Sequence, residues 1–446
     1  MRTPEPQDDI RSEFAAAISK MYRAEVPAYG TLIELVEDIN AEVLARDETL
    51  EQQLSVNGGL ERVNDERHGA IRLGSFAELK TMARFFRVLG MHPVGYYDLG
   101  PAGIPVQSTS FRPITSDALA ASPFRMFTSV LNLAAIEDPE LRETAKELID
   151  NRNIFSRNAL RMLDLAETGE GLSKSETSEF ISAFMETFRW HSDASIGLQL
   201  YERLLDSHRL VADIVSFQGP HINHLTPRTL DIDVAHATMS KRGITPKETI
   251  EGPPKRKCPI LLRQTSFMAL SESVNFPSPG GELRPGSHTA RFGEIEQRGI
   301  ALTPEGRQLY DLALKKSQGL LAEGGNAHAA LSMAFASFPD SYDELRRRGL
   351  GYFEFRAIQP LPAGATPQDL DELVGEGFVR ADPIIYEDFL PVSAASIFQS
   401  NLSPDASPTH SVGSEPEFTE GLGVSLIDPF TLYQNQSDES LKALFG

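Results

Sequence analysis

The sequence predicts an α+β fold in which one module is used twice, with a helical block between the two copies. Three observations carry this. His68 is followed four residues later by Arg72, and His224 four residues later by Arg228. Forty-one residues after each histidine comes the same tripeptide, Thr109-Ser110-Phe111 and Thr265-Ser266-Phe267. Between those anchors each copy has a helix-like stretch and a Gly-x-x-Pro turn, Gly90-Met91-His92-Pro93 and Gly243-Ile244-Thr245-Pro246. Chance matches of three residues do recur in a chain of this length, but two separate anchors at equal spacing argue for duplication. Repeated modules usually pack about a pseudo-twofold, which would bring His68 and His224 to one cleft.

In chain order, residues 8–54 read as helices: Ile10, Phe14, Ile18 and Tyr22 fall at helical spacing, as do Leu32, Leu35, Ile39 and Val43. Gly58-Gly59 breaks the pattern. Residues 67–73 read as a strand carrying His68. Ser75 with Glu78 resembles a capping box and opens a helix that stops at Gly90; strands follow at 94–99 and 105–112, giving a βαββ unit. Residues 120–210 are expected to be mostly helical. Residues 211–217 are apolar and partly β-branched, so they read as a strand, and 259–267 and 289–298 as strands on either side of a Gly/Pro-rich loop at 277–286. A helix is expected over 303–323 with Pro304 in its first turn, further strands at 352–355 and 384–389, and a Ser/Pro/acidic surface loop at 403–417. The expected division is an N-terminal helical segment (1–60), a first module (61–118), a helical insertion (119–210), a second module (211–300) and a C-terminal helix/strand region (301–446).

Composition narrows the function. The chain has 446 residues, 41% hydrophobic and 24% charged, with a formal net charge of −21, which argues against a nucleic-acid partner. The single cysteine, Cys258, excludes an internal disulfide and suggests a reducing compartment. No signal-peptide core follows the acidic N-terminus and no apolar run nears the ~18 residues of a membrane helix; the expected location is the cytoplasm, with no membrane partner. There is no P-loop, no Gly-x-Gly-x-x-Gly after a strand, no Gly-x-Ser-x-Gly and no cysteine pair for zinc.

Five of the ten histidines are candidates for chemistry: His68, His191, His221, His224 and His288. A lone histidine is more often a hydrogen-bonded structural residue than a ligand. The repeated spacing shifts that balance for His68 and His224, while His221 and Asn223 would sit behind them as orienting groups. If 291–298 is a strand, Phe292, Glu294, Glu296 and Arg298 share one face. That face could be a solvated ladder or an inward polar cluster. A carboxylate from it would complete a two-histidine, one-carboxylate set, which leaves open positions and suits non-haem Fe(II); spacing does not say which glutamate binds. Arg72 and Arg228 fall on the same strand face as their histidines. Either could clamp a carboxylate through a bidentate pair, or simply pair with one of the many acids. The small-residue turn after Asp388-Phe389-Leu390-Pro391 could bring backbone N–H groups near an anion.

Several of these segments together resemble the 2-oxoadipate dioxygenase/decarboxylase (2-hydroxyglutarate synthase) family. They are residues 67–72, the run 219–233, residues 288–299, Tyr96-Tyr97-Asp98-Leu99, residues 259–267 and residues 386–395. The resemblance runs over nearly the whole chain. It implies a branch of the vicinal oxygen chelate superfamily, with paired βαβββ modules forming a mixed half-barrel around a metal and large helical insertions. It also implies Fe(II) held by His68, His224 and Glu294, Arg72 as the substrate-binding arginine, and backbone at Val392 and Ser393 touching the substrate, with His68 beside it. Glu296 and His221 would stand behind the ligands. The implied reaction takes 2-oxoadipate and O2 to 2-hydroxyglutarate and CO2 in lysine breakdown, without a separate 2-oxo acid co-substrate. The alternatives are a metal-dependent lyase or isomerase on the same scaffold, or a non-catalytic protein that binds small acids.

Overall fold

The computed structural model describes residues 4–55, 63–322, 326–390 and 413–446. The chain divides into two compact units. One comprises Met1–Ile250, Gln264–Glu296 and Leu390–Leu426; the other comprises Glu251–Arg263, Gln297–Phe389 and Ile427–Gly446. Gly58 and Gly59 lie outside the described residues. No helix among the described residues is long and apolar enough to cross a membrane.

The first unit is α+β with a mixed sheet. Its strands β1 (Glu66–Leu73), β2 (His92–Asp98), β3 (Val106–Arg112), β4 (Arg125–Leu131) and β5 (His224–Pro227) are ordered β2-β3-β4-β1-β5. β1 runs parallel to β4, with His68 opposite Arg125, and antiparallel to β5, with Ala70 opposite His224. The helices Gln7–Glu25, Pro27–Arg46, Phe76–Val88 and Lys174–Phe188 cover the sheet. They do so because each presents one apolar stripe. Phe14, Phe85, Phe180, Phe184 and Phe188 meet there, Phe85 and Phe184 stacking at 4.1 Å. Ser75 caps the helix Phe76–Val88 by accepting from Glu78 N, but the Glu78 carboxylate accepts from Gly74 N rather than closing a capping box on Ser75.

The two Gly-x-x-Pro turns adopt the same conformation. Gly90 and Gly243 both have left-handed φ, 68° and 76°. In each, the next residue donates back to the same place in the last helical turn, Met91 N to Phe86 O and Ile244 N to Met239 O. This is the Schellman arrangement, in which a side chain at the glycine position would be strained. The pairing downstream also matches. Pro93 stands opposite Phe111 and Pro246 opposite Phe267. Arg72 is parallel-paired with Ser129, and Arg228 with Glu296.

Four readings of the sequence are corrected. Residues 211–217 are not a strand: Arg209–Ser216 is a helix whose residues from Leu210 to Ser216 are all buried, and a run that is apolar on every face has no period to distinguish helix from strand. Strand β4 went unread for the same reason, its seven residues being buried on both faces. β6 (Leu262–Ser266) falls within the strand expected at 259–267, whereas the expected loop 277–286 is mostly a hairpin of β7 (Ser271–Pro277) and β8 (Leu283–Thr289), turning through 278–282. Its Pro285 is accommodated in a sheet of only two strands. Residues 289–298 are broken, with β9 confined to Glu294–Arg298.

In the second unit, β10 (Phe353–Ala357) pairs antiparallel with β11 (Val379–Pro383). The strand expected at 384–389 therefore lies upstream. The helix Pro304–Ala322 forms as expected. Of the expected loop 403–417, residues 403–412 lie outside the described residues, and Glu415 opens a helix capped by Ser414.

Candidate metal centre

Three buried side chains from three strands converge. His68 comes from β1, His224 from the start of β5 and Glu294 from the start of β9, and one ligand atom from each lies within 4.8 Å of the other two. The strand pairings bring them together. β1 and β5 are neighbours with Ala70 opposite His224, so the two rings sit diagonally across one ladder, 5.5 Å apart and nearly perpendicular. The bridge Arg228–Glu296 sets β9 beside the end of β5, and Thr229 N donates to Glu296 O. Backbone bonds from Asn223 N to Ala70 O and from Phe292 N to Asn223 O complete the frame. The Tyr22 hydroxyl, from the helix Gln7–Glu25, reaches both the Asn223 and Phe292 carbonyls at 2.9 and 2.7 Å.

The distances fit a shared cation. His68 Nε2 is 3.3 Å from Glu294 Oε1, and His224 Nε2 is 3.8 Å from Glu294 Oε2. With metal–ligand bonds of about 2.1 Å, adjacent ligand atoms stand ~3 Å apart and opposite ones ~4.2 Å. The protonation states also fit. Burial, then the charges of His68 and Arg72, hold His224 well below the usual histidine range, so it stays neutral and offers a lone pair; its Nδ1 is buried with no hydrogen-bond partner among the described residues. Burial opposes charge on His68, but Glu296 and Glu294 outweigh it and raise that ring's pKa. Two buried carboxylates beside an imidazole call for a positive charge, which a metal ion supplies in place of a proton.

Glu296 contacts His68 from behind. Its Oε2 lies 3.0 Å from His68 Nδ1, the nitrogen other than the one facing Glu294. Glu294 is held in turn: Gln264 Nε2 donates to its Oε1 at 2.6 Å and the Thr226 hydroxyl at 3.3 Å. The His224 ring stacks on Phe292 at 4.7 Å.

Arg72 is buried and donates from Nη1 to Asp213 Oδ2 at 2.6 Å. His221 is not among the three clustered ligands. Its Nε2 lies 3.3 Å from Asp213 Oδ1, and Trp190 packs edge-on against its ring. His288 Nε2 joins the same carboxylate oxygen at 2.9 Å. His191 is only partly buried and approaches Glu186 O at 3.5 Å. Arg228 accepts at its carbonyl from Asn40 Nδ2. In the second unit Arg298 donates to the Tyr386 and Asp388 carbonyls and covers the Phe389 ring. Val392 and Ser393 lie outside the described residues.

Two residues of this site escaped sequence reasoning. Asp213 was hidden in a run taken for a strand, although it is the one charged residue between Leu210 and Ser216; a lone acid in a fully apolar stretch is a signal that it has a buried partner. Gln264 gave no signal of its own.

The chain matches the family described as 2-oxoadipate dioxygenase/decarboxylase over residues 14–401. It belongs to that family. Relatives of the same description include a Pseudomonas putida protein, 49% identical over 98% of this chain and 96% of its own length. An Escherichia coli protein is 48% identical over 97% of each. Among solved structures, the hydroxyglutarate synthase of Pseudomonas putida in complex with 2-oxoadipate superposes with a TM-score of 0.90 at 46% identity, over 99% of this chain and 98% of that one. The 2-oxoadipate dioxygenase/decarboxylase family thus spans both compact units of the chain.

Proposed function

We propose that this protein is a 2-oxoadipate dioxygenase/decarboxylase that takes 2-oxoadipate and O2 to 2-hydroxyglutarate and CO2 in lysine breakdown, with Fe(II) held by His68, His224 and Glu294. The observation that carries the reading is the buried set of two imidazoles and one carboxylate, on a chain 46% identical to a hydroxyglutarate synthase solved with 2-oxoadipate. Two histidines and one carboxylate leave coordination positions open and suit iron that handles oxygen. Bound there, Fe(II) would supply a template for a 2-oxo acid and oxygen, and the redox chemistry between them.

The protein's own groups do the rest. His224 stays neutral and so keeps a lone pair for the ion. Glu296 holds a proton at His68 Nδ1 and leaves Nε2 to bind. Gln264 and Thr226 keep Glu294 Oε1 hydrogen-bonded, which fixes the rotamer of the carboxylate. Arg72, four residues beyond His68 on the same face of β1, holds a substrate carboxylate; backbone at Val392 and Ser393 takes part in the same recognition. Burial of every one of the three ligands keeps water from competing. Six substrate carbons become five plus one, and both oxygen atoms of O2 remain in the products.

The finer architecture belongs to the same proposal: paired βαβββ modules of the vicinal oxygen chelate kind, curved into a half-barrel around the ion. The identical glycine caps, the Pro93–Phe111 and Pro246–Phe267 pairs, and the parallel pairs at Arg72 and Arg228 support it.

The experiment is oxygen uptake by iron-loaded protein across 2-oxo acids of different lengths, with product analysis. Uptake greatest with 2-oxoadipate, with one CO2 and one 2-hydroxyglutarate per O2, is expected. Metal retained without oxygen uptake would move the protein to a lyase or isomerase; no metal retained would make it a binding protein.

A further inference from the structure

We infer that Asp213 is a positioning residue for Arg72 and, through it, sets the preference for a dicarboxylic over a monocarboxylic 2-oxo acid. This rests on the reading of Arg72 as the carboxylate clamp.

Asp213 sits in the buried helix Arg209–Ser216, 141 residues from Arg72 in sequence. A carboxylate at such a depth is costly unless it is paired and hydrogen-bonded, so its partners are informative. Oδ2 accepts from Arg72 Nη1 at 2.6 Å. Oδ1 accepts from His288 Nε2 at 2.9 Å, with His221 Nε2 3.3 Å away. The Tyr201 hydroxyl lies 2.9 Å from His288 Nδ1. By donating there it keeps the ring proton on Nε2, where Asp213 needs it. Trp190 closes over both imidazoles, edge-on to His221 at 4.7 Å and parallel to His288 at 6.2 Å.

Two features set this apart from an ordinary buried ion pair. The contact to Arg72 runs through one guanidinium nitrogen, Nη1 at 2.6 Å, which anchors that end of the guanidinium at Asp213. The other carboxylate oxygen faces two imidazole nitrogens, which draw negative charge toward Oδ1 and leave Arg72 more of its own field for an incoming anion. Tyr201, His288 and Asp213 therefore form a chain that orients the clamp without touching substrate. A clamp anchored at one place discriminates by whether the far end of the substrate carries a carboxylate, since an unmatched buried charge is the costly case.

The test compares Asp213→Asn, Tyr201→Phe and Arg72→Ala on the iron-loaded protein. Oxygen uptake is followed with 2-oxoadipate and with 2-oxohexanoate, which has the same carbon count and no distal carboxylate. Binding of 2-oxoadipate is measured in parallel by anaerobic calorimetry. Asp213→Asn is expected to raise KM for 2-oxoadipate about tenfold with a smaller change in kcat, and to lower the diacid-to-monoacid ratio of kcat/KM about tenfold, at unchanged iron content. Tyr201→Phe is expected to move the ratio the same way by about threefold. Loss of folded protein lowers both substrates together and leaves the ratio alone. If Arg72→Ala collapses the ratio while Asp213→Asn leaves it within twofold of the parent, the positioning role is overturned and the clamp survives. If Arg72→Ala itself preserves the ratio, the clamp reading fails and this inference with it. Should Asp213→Asn not fold, an unchanged ratio in Tyr201→Phe overturns the inference.

Discussion

The Nδ1 of His68 and the Oε2 of Glu296 lie 3.0 Å apart in the buried interior, while the other nitrogen of the same ring faces Glu294 at 3.3 Å. One carboxylate therefore fixes the proton on the imidazole, and the other shares the side left open for an ion. Carboxylates placed behind a metal-binding histidine raise its basicity and lock its tautomer. Glu296→Gln keeps the shape and removes the charge. It should weaken metal affinity about 10–100-fold, measured by competition with a chromophoric chelator.

His224→Ala tests the proposed role of His224 as a metal ligand. Metal content by mass spectrometry and turnover should fall together to background, while far-UV circular dichroism stays that of the parent. Retention of stoichiometric metal would exclude His224 as a ligand.

Tyr22→Phe tests the frame behind the site. Its hydroxyl serves the carbonyls of Asn223 and Phe292, the residues adjoining His224 and stacked on it. Leaving buried carbonyls without that donor should cost about 1–3 kcal/mol of stability, read from urea unfolding, with metal affinity falling in step.

His208 predicts an acid-side slope in stability. It caps the helix Arg209–Ser216, with Nδ1 accepting from Leu210 N. Burial first, then the charge of Arg72, push its pKa down to about 4 against the hydrogen bond to Gly103. The folded state thus resists a proton that the unfolded chain takes up near pH 6.5. Between those values the unfolded state binds more protons, so stability rises with pH from about 4 to about 6.5 and falls as pH drops through that window. His208→Asn keeps a capping oxygen and removes the titration. Its melting temperature plotted against pH should be flatter over this range than the parent's.

Part of the fold was legible because a spacing of residues recurs along the chain. The anchors at His68 and His224, their arginines and the two Thr-Ser-Phe tripeptides recur 156 residues apart and the Gly-x-x-Pro turns 153 apart, and the structure gives both turns the same glycine cap and the same Pro–Phe pair. The three clustered side chains were legible as residue types, but only the family resemblance singled out Glu294 over Glu296, because residues two apart on a strand share a face. Burial on all sides hid the rest. Residues 125–131 and 210–216 carry no alternation of apolar and polar positions to read, so a strand was missed, a helix was taken for a strand, and Asp213 was lost with it. Gln264 acts through one side-chain contact across 30 residues, which no local pattern announces.

Tyr22 joins carbonyls 201 and 270 residues away, and the three side chains that could share an ion are spread from position 68 to position 294. During synthesis no emerging fragment short of Glu294 owns a complete coordination set. An ion bound by all three would therefore have to wait until distant strands had closed on one another. The affinity of an ion held there would be added to those closures as folding free energy, so occupancy of the centre and stability of the strands around it would rise and fall together.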